Sequence, residues 1–322
     1  MGKKNLARRV AVPAAAVAMV LGLAACEDGG TESKGDGKAA DSAPKAMSRA
    51  DAGKALNAAY KSTSEAKSAK VEMTMTMPEG AADGGGDMEV SGVMGWDPTM
   101  LDMTMSGSAL QASDPSAPET SRIIMDADVM YIDMGAEAAK DMDGRRWMKL
   151  DLSAAAEQAE KSGELGGGEM AKAMTGGLEN MNQSPAEQIA LLMESPNLKH
   201  VGPAKVGGED TQHYKGKLSI EEALDANTSL DALPAKDREQ LLKNMKTAGL
   251  DGYDTQVWVN GDDLPVKMDV TMKSPEGDVR IVQTFSDYGA SVKVDPPAEK
   301  DTLDLMEMFE KIGELAASAE GS

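Results

Sequence analysis

The sequence predicts an α+β protein in which a curved antiparallel β half-barrel carries helices that cover its concave face. Three observations support this fold class. Many segments, such as Val71–Met77, alternate apolar and polar residues, which is typical of strands with one buried face. The connections between these segments are short and favour antiparallel neighbours. A few amphipathic segments follow helix-capping residues, which predicts helices beside the sheet. Sheets of this length tend to coil toward a barrel that leaves an inner space.

The first residues have the layout of an export signal. Four basic residues precede an uncharged run, Val10–Ala25, which is shorter than the roughly 20 residues of a membrane-spanning helix. We therefore expect residues 1–25 to be a cleaved signal peptide. The run ends in Leu23-Ala24-Ala25-Cys26, which resembles the lipobox of bacterial lipoproteins. That resemblance implies that the Cys26 sulfur receives a diacylglycerol and that the new N-terminus is acylated, for example with palmitate. The alternative is an ordinary secretory signal with a chance cysteine.

Cysteine content and charge narrow the function classes. Cys26 is the only cysteine, so the chain can form no intramolecular disulfide and no thiolate metal site. The formal net charge of −21 argues against nucleic acid as a partner, and it means that acyl chains rather than charge hold the protein to a membrane. Residues 26–46 are acidic and glycine-rich without an apolar period, so we predict a flexible tether there. The abundance of alanine and glycine favours an actinobacterial source.

The folded domain is predicted over residues 47–297 and begins with a helix that Ser48 and Asp51 cap. Apolar and polar residues then alternate in a series of segments that predicts a β-meander, at 71–77, 88–96, 101–105, 123–125, 130–134 and 147–150. An insert at about 153–180 is rich in Ala, Glu and Gly. Because Gly166-Gly167-Gly168 interrupts its helical propensity, we predict that this insert is mobile.

The second half repeats this order of helices and strands. Ser184-Pro185-Ala186-Glu187 is a capping box with proline at the first helical position, and it predicts an amphipathic helix. A strand at 211–218, a short helix from Ser219 and a longer helix at 234–248 follow. A three-stranded meander is predicted at 253–260, 265–273 and 278–288. Pro296-Pro297 ends the sheet, and apolar residues from Leu303 onward predict that residues 298–322 form a C-terminal helix and tail.

This order of elements resembles the LolA/LppX-type lipoprotein-carrier family, in particular its actinobacterial branch of LppX-like and LprG-like proteins. Besides the lipobox, the matching segments are Gly208–Gly216, Val257–Asn260, Leu264–Met268 and Phe285–Gly289. The resemblance implies an open β half-barrel, helices that plug its mouth, and an apolar cavity that holds acyl chains of a lipid or lipoprotein. The Gly-rich insert, the C-terminal helix and the low aromatic content depart from the family pattern.

Methionine-rich strands supply the candidate cavity wall. Thirteen of the 25 methionines lie between Met73 and Met148, mostly at alternate strand positions. Thioethers are flexible and polarizable, which suits acyl chains of varied shape, and the same side chains also suit a filled core. The predicted ligand-binding residues are Met73, Met75, Met103, Met105, Met130, Ile132, Val266, Met268 and Val270. Which strand face points inward stays open, because a one-residue slip in register exchanges the faces.

The sequence predicts no metal site, no cofactor and no enzyme. His200 and His213 lack partners at ligand spacing. Asp141–Gly144 begins like a calcium loop but has Leu152 where the final glutamate belongs, so we predict a turn, with a weak divalent site as the alternative. The chain has no Gly-x-Ser-x-Gly elbow, no phosphate loop, and no cysteine nucleophile once Cys26 is acylated.

Taken together, the sequence predicts an extracytoplasmic lipoprotein, anchored to the cell membrane through Cys26, that binds or carries lipid acyl chains in an apolar cavity. We expect a monomer whose partners are the membrane and a lipid or acylated molecule. The alternative is a structural or sensory surface module with a filled interior and no ligand, which would interact with cell-envelope or protein partners.

Overall fold

The computed structural model describes residues 46–79, 85–113, 117–155, 157, 184–226, 235–247 and 249–308. The predicted signal peptide, Cys26, nearly all of the tether and most of the Gly-rich insert lie outside these ranges. The predicted C-terminal tail beyond Met308 lies outside them as well. The predictions made for those segments therefore stay predictions.

Two antiparallel meanders form one sheet in the described part of the chain. The strands are β1 (Ser68–Met77), β2 (Gly86–Trp96), β3 (Thr99–Ser106), β4 (Thr120–Asp126), β5 (Val129–Asp133), β6 (Trp147–Asp151), β7 (Lys199–Val206), β8 (Glu209–Ser219), β9 (Gly252–Asn260), β10 (Pro265–Ser274), β11 (Gly277–Ser286) and β12 (Thr302–Asp304). Their order is β12-β6-β5-β4-β3-β2-β1-β11-β10-β9-β8-β7. Strand β1 pairs with β11 and so joins the meander β1–β6 to the meander β7–β11. The sheet is curved and unclosed, which confirms the predicted fold class.

Local capping signals set the ends of the helices. The helices are α1 (Arg49–Ala66), α2 (Ser108–Ser113), α3 (Gly135–Ala138), α4 (Pro185–Glu194), α5 (Ile220–Ala226) and α6 (Ala235–Thr247). The Ser48 hydroxyl accepts a hydrogen bond from the Asp51 backbone N–H at the start of α1, as predicted. Ser184 and Glu187 form the predicted capping box at α4, with Pro185 as the first helical residue.

The hydrophobic core lies on one face of the sheet, which we call the inner face. Val71 on β1 lies opposite Phe285 on β11 and Gly92 on β2, and cross-strand partners share a face. Helix α1 packs Leu56, which is fully buried, into the same cluster. The sheet residues of this cluster include Val90, Met94, Leu101, Met103, Ile123, Met125, Met130, Val257 and Met268.

The structure corrects the sequence prediction at three places. Strand β7 was not predicted, because Gly202 and Pro203 interrupt its alternation, and its register with β8 shifts between His200 and Gly202. The predicted C-terminal helix does not include Thr302–Asp304, which instead pairs in parallel with β6. Strand β11 ends at Ser286 rather than at the predicted position 288. The remaining neighbouring strands are antiparallel, as predicted.

Residues 287–301, which we call the crossing segment, lead from β11 to β12, and Val292 in this segment packs on the outer face of the first meander. The Gly289 N–H donates a hydrogen bond to the Ser68 carbonyl at 3.0 Å. Farther along, Val292 Cγ2 lies 3.4 Å from the place that a Cβ on Gly95 would occupy, on the face opposite to the core. The segment then delivers β12 to the edge strand β6. Val292 therefore packs on the sheet without belonging to a strand.

Candidate functional site

A cavity of about 250 Å³ lies between the second meander and helices α4, α5 and α6. Its sheet side is formed by Leu218, Tyr253, Thr255, Val270, Ile281 and Gln283. Its helix side is formed by Gln188, Leu191, Ile220, Ala223, Leu224 and Met245. Most of these side chains are apolar, and among the described lining residues none is charged. The cavity is therefore suited to the apolar part of a ligand.

The sheet side of the cavity is one continuous patch of the inner face. Val270 on β10 lies opposite Ile281 on β11 and Thr255 on β9. Tyr253 lies two residues from Thr255 on β9 and opposite Leu218 on β8. Because side chains two residues apart on a strand point to the same face, register alone brings these side chains together.

Helix α4 is anchored over the cavity by Ser195, which lies shortly before the first residue of β7. Strand β7 begins at Lys199, which pairs with Lys215, so the backbone of Lys217 has no partner from β7. The Ser195 hydroxyl takes that place, since it donates to the Lys217 carbonyl at 2.7 Å and accepts from the Lys217 N–H at 2.9 Å. Gly216 permits this approach, because a Cβ there would lie only 2.6 Å from Ser195 Oγ.

Helices α5 and α6 cover the remaining side of the cavity. The Ser219 N–H donates to Glu222 Oε2 at 2.8 Å and the Glu222 N–H donates to Ser219 Oγ at 3.2 Å, which confirms the predicted start of α5. The Lys246 ammonium pairs with Glu221 and links α6 to α5. None of the described α6 side chains is fully buried, and Met245 is the α6 residue that lines the cavity.

A few polar groups interrupt the apolar wall. Burial raises the pKa of the Tyr253 phenol, which keeps this side chain neutral at physiological pH. The Gln283 amide nitrogen lies 3.7 Å from Met73 Sδ, and within the described chain its buried Oε1 has no hydrogen-bond partner. These groups can orient a neutral polar part of a ligand, whereas they offer no ionised catalytic group.

The volume of the cavity is sufficient for a hydrocarbon segment. A cavity of about 150 Å³ lined by aliphatic and aromatic side chains is large enough to bind benzene and stays dry when it is empty. The present cavity is larger, at about 250 Å³. Its wall can therefore remove a stretch of hydrocarbon from water, and this transfer is the chemistry that the arrangement supports.

The structure brings one predicted ligand-binding residue into this cavity and two others beside it. Val270 lines the cavity directly. Met75 lies opposite Ile281, and Met73 lies opposite Gln283, so both methionines neighbour the wall from strand β1. The boundary between the two meanders is thus part of the surroundings of the cavity.

The other predicted ligand-binding residues lie elsewhere. They form or contact the hydrophobic core: Met103, Met130 and Met268 are buried in it, and Met105 and Ile132 pack against it. Val266 falls at a register shift between Pro265 and Lys267, where the buried Pro265 lies opposite Val259. The first-meander methionines thus fill the hydrophobic core, and the cavity occupies the methionine-poor second meander.

Sequence reasoning missed most of the lining residues. The strands that carry Tyr253, Thr255 and Ile281 were predicted, as was their pairing in a three-stranded meander. Their inner face was not predicted. On β10, the alternation of Val270 with polar neighbours was the sequence pattern that pointed to a lining residue. The helix residues could be found only after α4 and α5 were placed against the sheet.

His200, His213 and residues 141–144, candidate metal ligands that the sequence does not predict to form a site, have structural roles. Met47 N–H donates to His200 Nδ1 at 3.1 Å, and His200 Nε2 contacts Gln212 Oε1 at 2.7 Å. His213 stacks on Trp258 at the outer face. Residues 141–144 form the predicted turn. Within the described chain, no cluster of three or more His, Cys, Asp or Glu residues could hold a metal ion.

No helix in the described part of the chain combines the length and the apolar character that a helix needs to cross a bilayer.

Comparisons with known proteins add relatives and structural neighbours. No model of a known protein family matches the chain. A 31.2 kDa protein from the rplA–rplJ intergenic region of Streptomyces griseus is 28% identical over 277 residues, which cover 83% of each chain. SCO4650 of Streptomyces coelicolor, which is provisionally described as a lipoprotein, is 27% identical over 95% of this chain and 98% of its own length.

Two mycobacterial lipoproteins are among the solved structures that match. LppX from Mycobacterium tuberculosis aligns with 77% of this chain and all of its own, at 13% identity and a TM-score of 0.44. LprF from Mycobacterium bovis aligns with 77% of this chain and 98% of its own, at 14% identity and a TM-score of 0.40. LppX is a member of the family that the sequence was predicted to resemble.

Proposed function

We propose that this protein is an extracytoplasmic lipoprotein, anchored through acylated Cys26, that holds an acyl chain in the cavity beneath α4, α5 and α6. The observation that carries the proposal is the cavity of about 250 Å³ with a mostly apolar wall, whose described residues carry no charge. The lipoprotein description of the relative SCO4650, together with the lipobox, supports the anchor and the location.

The driving force is the transfer of hydrocarbon from water to the cavity wall. Each square ångström of apolar surface removed from water contributes about 25 cal/mol, which amounts to about 0.8 kcal/mol for each methylene group. A cavity of this kind needs no charged group to bind a chain, and its wall has none among the described residues. Selectivity would come from the length and shape of the chain and from hydrogen bonds to Gln283 and Tyr253.

Helix α6 is the element that we propose to move when a ligand enters. Its described side chains are partly or fully exposed, so little apolar surface is lost when it shifts. By contrast, α4 is held by the two hydrogen bonds between Ser195 and Lys217. Displacement of α6, with Met245 at its inner side, would open the cavity while the sheet stays intact.

The test is lipid recovery from the full chain, produced in an actinobacterial host and extracted with organic solvent before mass spectrometry. We expect about one acyl-chain ligand for each protein, in addition to the lipid bound covalently at Cys26. Val270→Trp should fill the cavity and remove this ligand. Val282→Trp is the matched control, because Val282 lies one strand away and faces the outer side of the sheet.

Two results would count against the proposal. One is wild-type protein that yields only the covalent lipid, which would favour the structural or sensory module. The other is equal lipid recovery from both tryptophan variants, which would place the ligand outside this cavity. Circular dichroism of each variant separates loss of the ligand from loss of the fold.

A further inference from the structure

Cationic side chains cluster on the outer face of the second meander, although the chain as a whole is acidic. Lys199 on β7 and Lys215 on β8 lie directly opposite each other. Like charges at such positions destabilise a sheet. Neither ammonium group has an ion-pair partner within the described part of the chain, so the fold retains an unfavourable pair at this position.

Aromatic rings extend this cluster across the next two strands. The His213 imidazole stacks on the Trp258 indole, with ring centroids 4.3 Å apart and planes at 7°. The Lys267 ammonium lies 4.8 Å from the centroid of the same indole, which is a cation–π contact. These three residues lie on one cross-strand row, because His213 pairs with Trp258 and Trp258 pairs with Lys267. We call Lys199, Lys215, His213, Trp258 and Lys267 the basic patch.

Two acidic residues beside the basic patch are neutralised by cationic partners. Asp254 pairs with Lys217 at 2.9 Å, and the buried Asp269 receives two hydrogen bonds from Arg280. Glu72 lies farther away on β1, two strands beyond Lys267. Because salt screens charges over roughly 8 Å at physiological ionic strength, an anion near the patch interacts mainly with its lysines and less with the net charge of −21.

The pKa of His213 is consistent with a positive local field. Burial lowers this pKa, and the positive charges of Lys215 and Lys267 lower it further, whereas the hydrogen bond to Gln256 acts in the opposite direction. At neutral pH the imidazole is therefore uncharged and remains stacked on the indole. The positive charge of the patch comes from its lysines.

We propose that the basic patch docks onto anionic phospholipid headgroups of the membrane to which the chain is tethered. The beginning of the folded domain supports this occupant, because Met47 donates its N–H to His200, the neighbour of Lys199 on the edge strand. The flexible tether that the sequence predicts, about 20 residues long, would span roughly 25 Å on average and would keep this edge of the sheet close to its anchor. The proposal rests on the lipid anchor of the proposed function, but not on the cavity.

The chemistry of the patch fits a lipid surface. Lysines bind phosphate groups as point charges, and a tryptophan is favourable at the membrane interface. Val201, the extra residue at the register shift of β7, is 47% exposed next to Lys199 and offers an apolar contact at the same edge. Each lysine near an anionic surface strengthens binding about fivefold at moderate salt.

The test uses the full mature chain with Cys26→Ser, so that binding does not depend on the acyl anchor. Its partition onto vesicles is measured by co-sedimentation, with phosphatidylcholine alone and with phosphatidylcholine mixed with phosphatidylglycerol. We expect binding to the mixed vesicles that weakens at high salt. The triple variant Lys199→Gln, Lys215→Gln and Lys267→Gln should lose at least about tenfold in partition. The control variant removes the same charge from exposed helix positions, through Lys61→Gln, Lys236→Gln and Lys243→Gln.

Equal partition of the wild-type chain onto both kinds of vesicle would overturn the proposal, and so would an equal loss in the control variant. Binding to a soluble anionic polymer but not to vesicles would overturn it too, because the occupant would then be a polymer of the envelope. Lipid extraction from the triple variant separates the two proposals. If this variant loses vesicle binding but keeps the extracted ligand, the patch acts in docking and the cavity acts independently.

Discussion

Val71, near the start of the folded domain, lies directly opposite Phe285, near the end of the second meander, and both side chains are almost fully buried. This pair is part of the contact between β1 and β11 that makes one sheet from two meanders. The residues are 214 positions apart, so their pairing closes nearly the whole folded chain. Loss of this contact would affect the shared core beneath α1.

The first prediction concerns this junction. Phe285→Ala should lower the free energy of unfolding by about 3 to 5 kcal/mol, because it removes a buried aromatic ring and leaves a cavity in the core. Urea denaturation followed by circular dichroism measures the change. Ser286→Ala is the control, since Ser286 is the exposed neighbour, and it should change stability by less than about 0.5 kcal/mol. Similar losses of unfolding free energy in both variants would show that the buried Phe285 ring does not contribute more to the core than its exposed neighbour does.

A second prediction concerns the anchor of α4. Ser195→Ala should cost about 1 to 3 kcal/mol, because the Lys217 N–H and carbonyl lose their shared partner while the site stays buried. Ser91→Ala on the exposed side of β2 is the control. Hydrogen exchange at Lys217 should accelerate in the Ser195 variant. An unchanged exchange rate would mean that another group forms the hydrogen bonds with the Lys217 backbone.

The third prediction concerns the crossing segment and β12. A chain that ends at Ala298 lacks β12 and the ion pair between Lys149 and Asp304, which measures 2.9 Å. Strand β6 then becomes an open edge, and such edges pair with other chains. We expect concentration-dependent association in light scattering. A chain that ends at Met308 keeps β12 and is the control, and equal association of both truncated chains would contradict this role.

The fourth prediction concerns the pH dependence at His213. Burial and the neighbouring positive charges place its folded-state pKa below the ordinary value of 6.5. Between these two pKa values the unfolded chain binds more protons than the folded one, so the free energy of unfolding falls as the pH decreases below about 6.5. The loss is complete below the folded-state pKa. His213→Gln should flatten this part of the stability profile.

Titration of the His213 imidazole by NMR checks the cause. Lys215→Gln removes one positive neighbour and should raise the pKa of His213, whereas Lys61→Gln, on α1, should leave it unchanged. A His213 pKa above 6.5 in the wild-type chain would contradict the prediction. The same measurement tests the positive field that we infer for the basic patch.

Local sequence patterns predicted the elements that depend on near neighbours. Ser48, Ser184 and Ser219 cap helices as expected, because a capping hydroxyl needs only a backbone N–H a few residues away. The period-two segments became strands, because alternation with one apolar face is sufficient to define a strand locally. Strand β7 was missed, because Gly202 and Pro203 interrupt its alternation of apolar and polar residues. It is a strand through its pairing with β8, which is not a local property of the sequence.

The sequence by itself determined most of the strands, the helix starts and the unusual abundance of methionine on alternate positions. Only the tertiary structure decided that β1 pairs with β11, that β12 lies in parallel beside β6, and that the open space lies in the second meander. The physical reason is that backbone hydrogen bonds between strands are the same for every sequence, so the side-chain pattern specifies a face but not a partner. The first-meander methionines fill the hydrophobic core, and the cavity remains where α4, α5 and α6 bridge the sheet without filling the space beneath them.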